Sequence, residues 1–167
     1  MTDTVIRRAR LEDVPALLEI YNYYVLNTSV TFDVEPRSLA QRLAWFGDFS
    51  TEGRYQCFVA ERDGGAIGWA SSGKFKEKTA YGTSVETSVY LAPGESGKGL
   101  GHELYRTLLE ALRGADLHRA YGGVALPNEA SIRLHEAVGF HHVGTYREVG
   151  RKFGRFWDVA WYERSLA

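Results

Sequence analysis

Apolar residues recur along the chain with two spacings, one near two and one between three and four, and the succession of those spacings predicts the elements. Residues 5–9 alternate as a short strand. Val14, Leu17, Leu18, Tyr21 and Val25 follow at helical spacing, with Pro15 in the first turn, where a missing N–H breaks no bond. A loop over 27–36 carries Phe32, and Leu39, Leu43 and Phe46 share a face of a second helix over 38–46. After a loop at 50–54, residues 58–61 and 66–71 form a hairpin around Arg62-Asp63-Gly64-Gly65. A charged loop, 74–81, leads into a strand at 85–91. Pro93-Gly94 ends that strand, and Leu100, Leu104, Leu108, Leu109 and Leu112 mark an amphipathic helix. A strand at 121–125, a break at Leu126-Pro127 and a helix over 128–138 with Asn128 as its N-cap come next. Gly139-Phe140 closes that helix, and two strands, 141–149 and 156–165, are separated by residues 150–155. The order β-α-α-β-β-β-α-β-α-β-β is neither doubly wound nor an all-β barrel. It predicts a mixed α/β sheet with helices on both faces, in one domain over residues 1–167.

The junction of the 85–91 strand with its helix holds Gly94, Gly97, Gly99 and Gly101. A glycine-rich turn feeding a helix start leaves backbone N–H groups unpaired, and with the positive end of the helix dipole they suit a phosphate or pyrophosphate. Lys98 adds a positive charge. A Walker loop is excluded, because Ala92 stands at its first glycine position and Gly99 follows Lys98. A dinucleotide fingerprint started at Gly99 fails at Leu104.

Composition narrows the class. A net charge of −1 argues against a general nucleic-acid binder. No apolar run approaches the roughly 20 residues that span a bilayer, and residues 1–14 lack the apolar core of a secretory signal. Cys57, alone in the chain, excludes an internal disulfide or a cysteine metal cluster, and its apolar run marks a buried, inert thiol. These features describe a cytoplasmic domain. His141 and His142, adjacent on a strand, point to opposite faces, and no metal-ligand set is evident. His102 and His118 read as exposed helix and loop residues.

Ser96-Gly97-Lys98-Gly99-Leu100-Gly101 resembles the coenzyme-A loop of the GNAT N-acetyltransferase superfamily, Arg/Gln-x-x-Gly-x-Gly/Ala, with Ser96 at the Arg/Gln position. Downstream, residues 128–140 resemble the superfamily's second signature, Asn-x-x-Ser-x-x-Leu-Tyr-x-x-x-Gly-Phe, with His135 in place of Tyr. The Arg-x-Ala/Ser-x-x-Asp opening before the first helix is also similar. Within the superfamily the runs 75–81, 85–90, 126–128, 134–136 and 152–158 resemble the phosphinothricin and methionine sulfone/sulfoximine acetyltransferases, although Thr83 stands where the phosphinothricin enzymes often carry an aromatic. The resemblance implies a mostly antiparallel central sheet, acetyl-CoA as co-substrate, no metal, a small amino-acid-like amine as acceptor, and a homodimer. Exposed aromatics such as Trp157 and Trp161 would serve the dimer, or else belong to the core.

Acetyl transfer from a thioester to an amine requires an anchored pyrophosphate, a pantetheine arm laid along a strand, a deprotonated amine and a protonated leaving thiolate. Ser96, Gly97, Lys98, Gly99, Leu100 and Gly101 would do the first through backbone N–H groups. Val89, Tyr90 and Leu91 would take the arm as a partial extra strand. The resemblance adds Asn128 and Ser131 on the far side. An ammonium group needs a base before it can attack, and Glu86 is the candidate, directly or through a water. His135 either protonates the thiolate or assists Glu86, and Tyr90 is a third possible proton donor. Lys76, Lys78 and Arg155 suit a carboxylate and a second acidic or polar group of the substrate. Phe32, Phe75 and Tyr81, together with Thr87 and Ser88 beside Glu86, would complete the substrate pocket by resemblance. Two competing readings are acetylation of a protein N-terminus or polyamine, and a catalytically silent acyl-CoA-binding module.

Overall fold

The computed structural model describes residues 3–167. Seven strands form one sheet: β1 (Val5–Arg8), β2 (Cys57–Arg62), β3 (Gly65–Lys74), β4 (Ser84–Leu91), β5 (Arg119–Ala125), β6 (His141–Lys152) and β7 (Arg155–Ser165). Their spatial order is β1-β2-β3-β4-β5-β7-β6, and every neighbouring pair is antiparallel except β4 with β5. Four helices, α1 (Val14–Asn27), α2 (Leu39–Phe46), α3 (Leu100–Ala111) and α4 (Glu129–Ala137), complete the predicted order of elements.

Alternation along the strands divides the core between two faces. Phe58, Ala60, Ala70 and Val85 pack with Leu100, Leu104, Leu108 and Leu112 of the α3 segment. On the opposite face Cys57, Val59 and Trp69 pack with Leu17 and Ile20 of α1. Each fully buried leucine contributes roughly 1.5–3 kcal/mol, so the α3 stripe fixes that helix, and with it the glycine loop at its start, against the sheet. Cys57 is buried as expected, and burial pushes its thiol up to about 12.

Three sequence expectations are corrected. The face of α2 defined by Leu39 and Leu43 is turned to solvent, and the helix buries Arg42 instead. The stacking of that guanidinium on Trp45 compensates what apolar periodicity alone could not foresee. The break expected over 150–155 is only a two-residue turn, with Phe153 and Gly154 both at positive φ, and the flanking strands continue to Lys152 and from Arg155. The charged loop after β3 contains a single 3-10 turn, Thr79–Thr83.

The two parallel strands are paired over only three positions, Ser84 with Arg119, Val85 with Ala120 and Glu86 with Tyr121. Beyond them β4 stays paired with β3, and β5 with β7, so β4 and β5 part while each keeps its outer neighbour. A fork opens at their carboxyl ends, the position where open α/β sheets receive ligands.

Candidate active site

Glu86 is the last β4 residue before the fork. A cavity of about 290 Å³ lies there, lined by Glu86, Thr87, Ser88, Val89 and Tyr90 of β4, Gly123 and Ala125 of β5, Ser131, Leu134 and His135 of α4, Val159 and Trp161 of β7, and Val30, Thr31 and Phe32 of the loop after α1. The fork thus brings Glu86 and His135, 49 residues apart in sequence, to one cavity.

His135 is 6 % exposed. Its Nδ1 lies 2.7 Å from the Ser131 carbonyl oxygen, one helical turn back, so Nδ1 carries the proton and donates it. Nε2 is therefore the lone-pair nitrogen, and burial lowers the imidazole's affinity for a second proton. This geometry makes His135 an acceptor. Nε2 lies over Gly122 of β5: a Cβ there would stand 2.4 Å from it. Only glycine leaves the ring this position. Glu86 is half-buried, and desolvation raises its carboxyl above the ordinary value, which makes its ionised form a stronger base.

At the end of β4 the Ala92 N–H donates to the Ile67 carbonyl of β3 at 2.8 Å. Alternation then turns the backbone groups of Thr87, Val89 and Leu91 toward the fork. The Leu91 carbonyl accepts from Tyr24 Oη, so Val89 is the residue most free to pair with an extended chain laid into the fork. Tyr90 lines the same cavity; its ring stacks on Trp69 with centroids 4.8 Å apart, and burial raises its hydroxyl well above the ordinary value, which makes it a weak acid.

In the loop, Gly97 and Gly99 have φ of 79° and 81°, and Gly99 is the uncapped residue before α3. The first N–H groups of α3, on Leu100, Gly101 and His102, precede the first i to i−4 bond, from Glu103 to Gly99. No side chain closes the loop from above, since Cβ atoms at Gly97 and Gly99 would meet nothing within 4 Å. Such a cradle fits a pyrophosphate. Lys98 is exposed and lies 3.6 Å from Glu95, which also pairs with Arg62 of β2. Ser96 is exposed.

Asn128 caps α4, its Oδ1 accepting from the Ser131 N–H at 3.1 Å, which leaves its amide nitrogen free to donate to a ligand. Thr87 is buried, with its hydroxyl engaged by Tyr105 and the Tyr121 carbonyl. Phe75 stacks on Tyr121 at 4.4 Å, with Tyr81 at its edge and Lys76 over both rings, outside the cavity lining. Lys78 is exposed before the 3-10 turn. Arg155 covers Trp157 beside Phe156 and Asp158 in a separate depression. The fold therefore assembles Glu86, His135, Ser88 and Phe32, and leaves Lys76, Lys78 and Arg155 outside that cavity.

Sequence reasoning missed Trp161 and Val159 as cavity walls, Gly122 under His135, and Lys152. Strand alternation in 156–165 carried a signal for the first two. Lys152 is 3 % exposed and donates to the Thr31 carbonyl at 2.8 Å, tying the loop of Phe32 to β6. The Phe32 ring then rests on Gly150, where a Cβ would lie 2.3 Å from it.

A forked sheet, a glycine cradle before α3 and a glutamate–histidine cavity between them define an acyl-CoA-dependent transferase fold. The chain belongs to the GNAT acetyltransferases: the family model described as "Acetyltransferase (GNAT) domain" matches residues 6–161. It is 54% identical over 157 residues to a phosphinothricin N-acetyltransferase of Streptomyces coelicolor, covering 93% of this chain and 92% of the relative. It is 36% identical over 161 residues to the L-methionine sulfoximine/L-methionine sulfone acetyltransferase of Pseudomonas aeruginosa, covering 96% and 94%. Among solved structures, a putative acetyltransferase from Salmonella typhimurium with its cofactor acetyl-CoA superposes with a TM-score of 0.92 at 34% identity, covering 99% and 95%.

Proposed function

We propose that the chain is an acetyl-CoA-dependent N-acetyltransferase for the α-amine of a small amino-acid analogue of the phosphinothricin or methionine sulfone/sulfoximine type. The observation that carries this reading is the cavity at the β4–β5 fork with Glu86 and His135 in its wall. Loop N–H groups from Ser96 to Gly101 hold the pyrophosphate, the Val89 backbone pairs with the pantetheine arm, and the Asn128 amide with Ser131 faces it from α4. The thioester supplies the acetyl group. Glu86 accepts the proton of the substrate ammonium, through a water or directly. His135 Nε2 accepts the second amine proton as the C–N bond forms, and the imidazolium so formed is then the donor that the departing thiolate requires. Phe32, Ser88 and Trp161 wall the amine site.

The same proposal includes a homodimer and a cytoplasmic setting. Trp157 and Trp161 are half-buried, but Val143, Tyr146, Val149, Phe153 and Phe156 stand exposed on β6, β7 and their turn, supporting a self-association surface there. The transferase reading is tested by thiol release from acetyl-CoA across phosphinothricin, methionine sulfone, methionine sulfoximine, spermidine and an N-terminal peptide. Turnover confined to the amino-acid analogues, and lost in Glu86→Gln, is expected. Acetyl-CoA binding without turnover of any amine would leave a silent binding module.

A further inference from the structure

After Glu86 and Tyr121, the next residues in register on β4 and β5 are Thr87 and Gly122, and these are not paired. His135 Nε2 lies over Gly122. Parallel pairing over so few positions makes a weak seam. Fraying it back by one residue, or zipping it forward by one, would shift Gly122 and the histidine above it relative to Glu86.

A chain of buried hydroxyl groups stands at that point. Thr87 is 4 % exposed, and Tyr105 of α3 is fully buried. Thr87 Oγ1 is hydrogen-bonded to Tyr105 Oη and lies 3.3 Å from the carbonyl oxygen of Tyr121. A carbonyl only accepts, so the Thr87 proton goes to it. Tyr105 Oη has no other hydrogen-bond partner among the described residues, and a buried phenol proton requires an acceptor, so Tyr105 donates to Thr87. Burial raises the phenol well above its ordinary value, which keeps it a donor. The chain thus runs from α3 through β4 to β5. The Tyr105 ring also meets His135 edge-on, with centroids 5.3 Å apart and planes at 83°.

We propose that Thr87 and Tyr105 are positioning residues whose hydroxyl chain fixes the point at which β4 and β5 part, and so the width of the slot that receives the pantetheine arm. This rests on the acetyltransferase reading above, with the arm in the fork. The chain ties the first unpaired residue of β4 to the last paired carbonyl of β5 through side chains, which holds the strands together at the apex without zipping them further. Tyr105 belongs to the same packed cluster as Leu100, Leu104 and Leu108, which seat α3 and the glycine cradle at its start. Cradle and slot therefore keep one spacing. The Thr87 hydroxyl is then engaged by β5 and is not offered to the amine.

The test measures, by titration calorimetry, the Kd of acetyl-CoA and that of 3′-phospho-ADP, which has the nucleotide and pyrophosphate but no arm. Tyr105→Phe and Thr87→Val each remove a hydroxyl at nearly constant shape. Each is expected to raise the Kd of acetyl-CoA about fivefold, the loss of one neutral hydrogen bond, and to change that of 3′-phospho-ADP by less than about twofold. Thr87→Ser keeps the hydroxyl and should bind both ligands as the wild type does. The double variant Tyr105→Phe/Thr87→Val should be no weaker than Thr87→Val alone, because one chain carries both effects. An unchanged Kd for acetyl-CoA, an equal rise for both ligands, or a Thr87→Ser variant as weak as Thr87→Val would overturn the proposal and leave the chain a packing feature, with the transferase reading intact. A wild type that binds acetyl-CoA no more tightly than 3′-phospho-ADP would overturn the placement of the arm as well. If one variant does not fold, as judged by circular dichroism, the other decides. If neither folds, the chain serves folding and the proposal fails.

Discussion

His135 donates from Nδ1 to the carbonyl of Ser131, 2.7 Å away within α4. This bond fixes the tautomer and leaves the Nε2 lone pair beside Gly122. Burial also lowers the ring's proton affinity below that of an ordinary histidine, so His135 is neutral at neutral pH. Any acid limb of the kcat profile that belongs to His135 is expected to be centred below about 6.5, the ordinary histidine value. An acid limb centred at or above that value would contradict a neutral acceptor. His135→Ala should lower kcat by about 100-fold or more.

Glu86 carries the opposite balance between activity and stability. Its carboxyl is raised by burial, so the folded chain binds that proton more readily than the unfolded one. The contribution to stability is full below the unfolded-state value and is lost as pH rises through the raised one. Glu86→Gln should therefore raise Tm at pH 8, with the gain shrinking toward pH 4, while turnover falls about 100-fold or more. Thermal scans at the two pH values check the sign.

Gly122→Ala places a Cβ 2.4 Å from His135 Nε2. The ring must leave its place, at a stability cost of about 1–3 kcal/mol for overpacking, and kcat should fall nearly as far as in His135→Ala. The double variant Gly122→Ala/His135→Ala should recover stability and not activity. Denaturant titration of the three variants reads this non-additivity.

Lys152→Met removes the donor that ties the Thr31 carbonyl to β6. The loss should cost about 1.5–3 kcal/mol and free the loop of Phe32 from Gly150. KM for the amine should rise with little change in the Kd of acetyl-CoA, measured by titration calorimetry.

In the glycine cradle, Gly99→Val forces a β-branched residue to a φ of 81° at the start of α3. The N-terminal N–H groups lose their aim, and acetyl-CoA affinity should fall by at least about tenfold. Lys98→Ala should cost far less, and its effect should vanish at high salt, because Lys98 is exposed and shared with Glu95.

Periodicity alone revealed α3 and the β4 strand before it, because leucines at helical spacing and a glycine-rich turn encode local geometry directly. The same rule failed at α2. Its apolar residues Leu39 and Leu43 face solvent, and a cation is buried in their stead, because the partner that makes Arg42 acceptable is an aromatic cluster that includes Trp69, 27 residues further on. Gly122 likewise carries no local signal, because what requires glycine there is His135, from α4, lying over it. For Lys76, Lys78 and Arg155 the sequence supplied charge and not direction, since the direction of a loop lysine is set by what it packs on, here the rings of Phe75 and Tyr81 for Lys76.

By itself, then, the sequence determined the elements, their order, the glycine cradle and the candidate pair Glu86 and His135, since each depends on residues near one another in the chain. Only the tertiary structure decided that β4 and β5 part after Glu86, that His135 presents a lone pair to the fork, and that Thr87 and Tyr105 meet where the strands part. Those depend on which strands remain hydrogen-bonded and which polar groups find partners, and partners distant in sequence meet only when the sheet has formed.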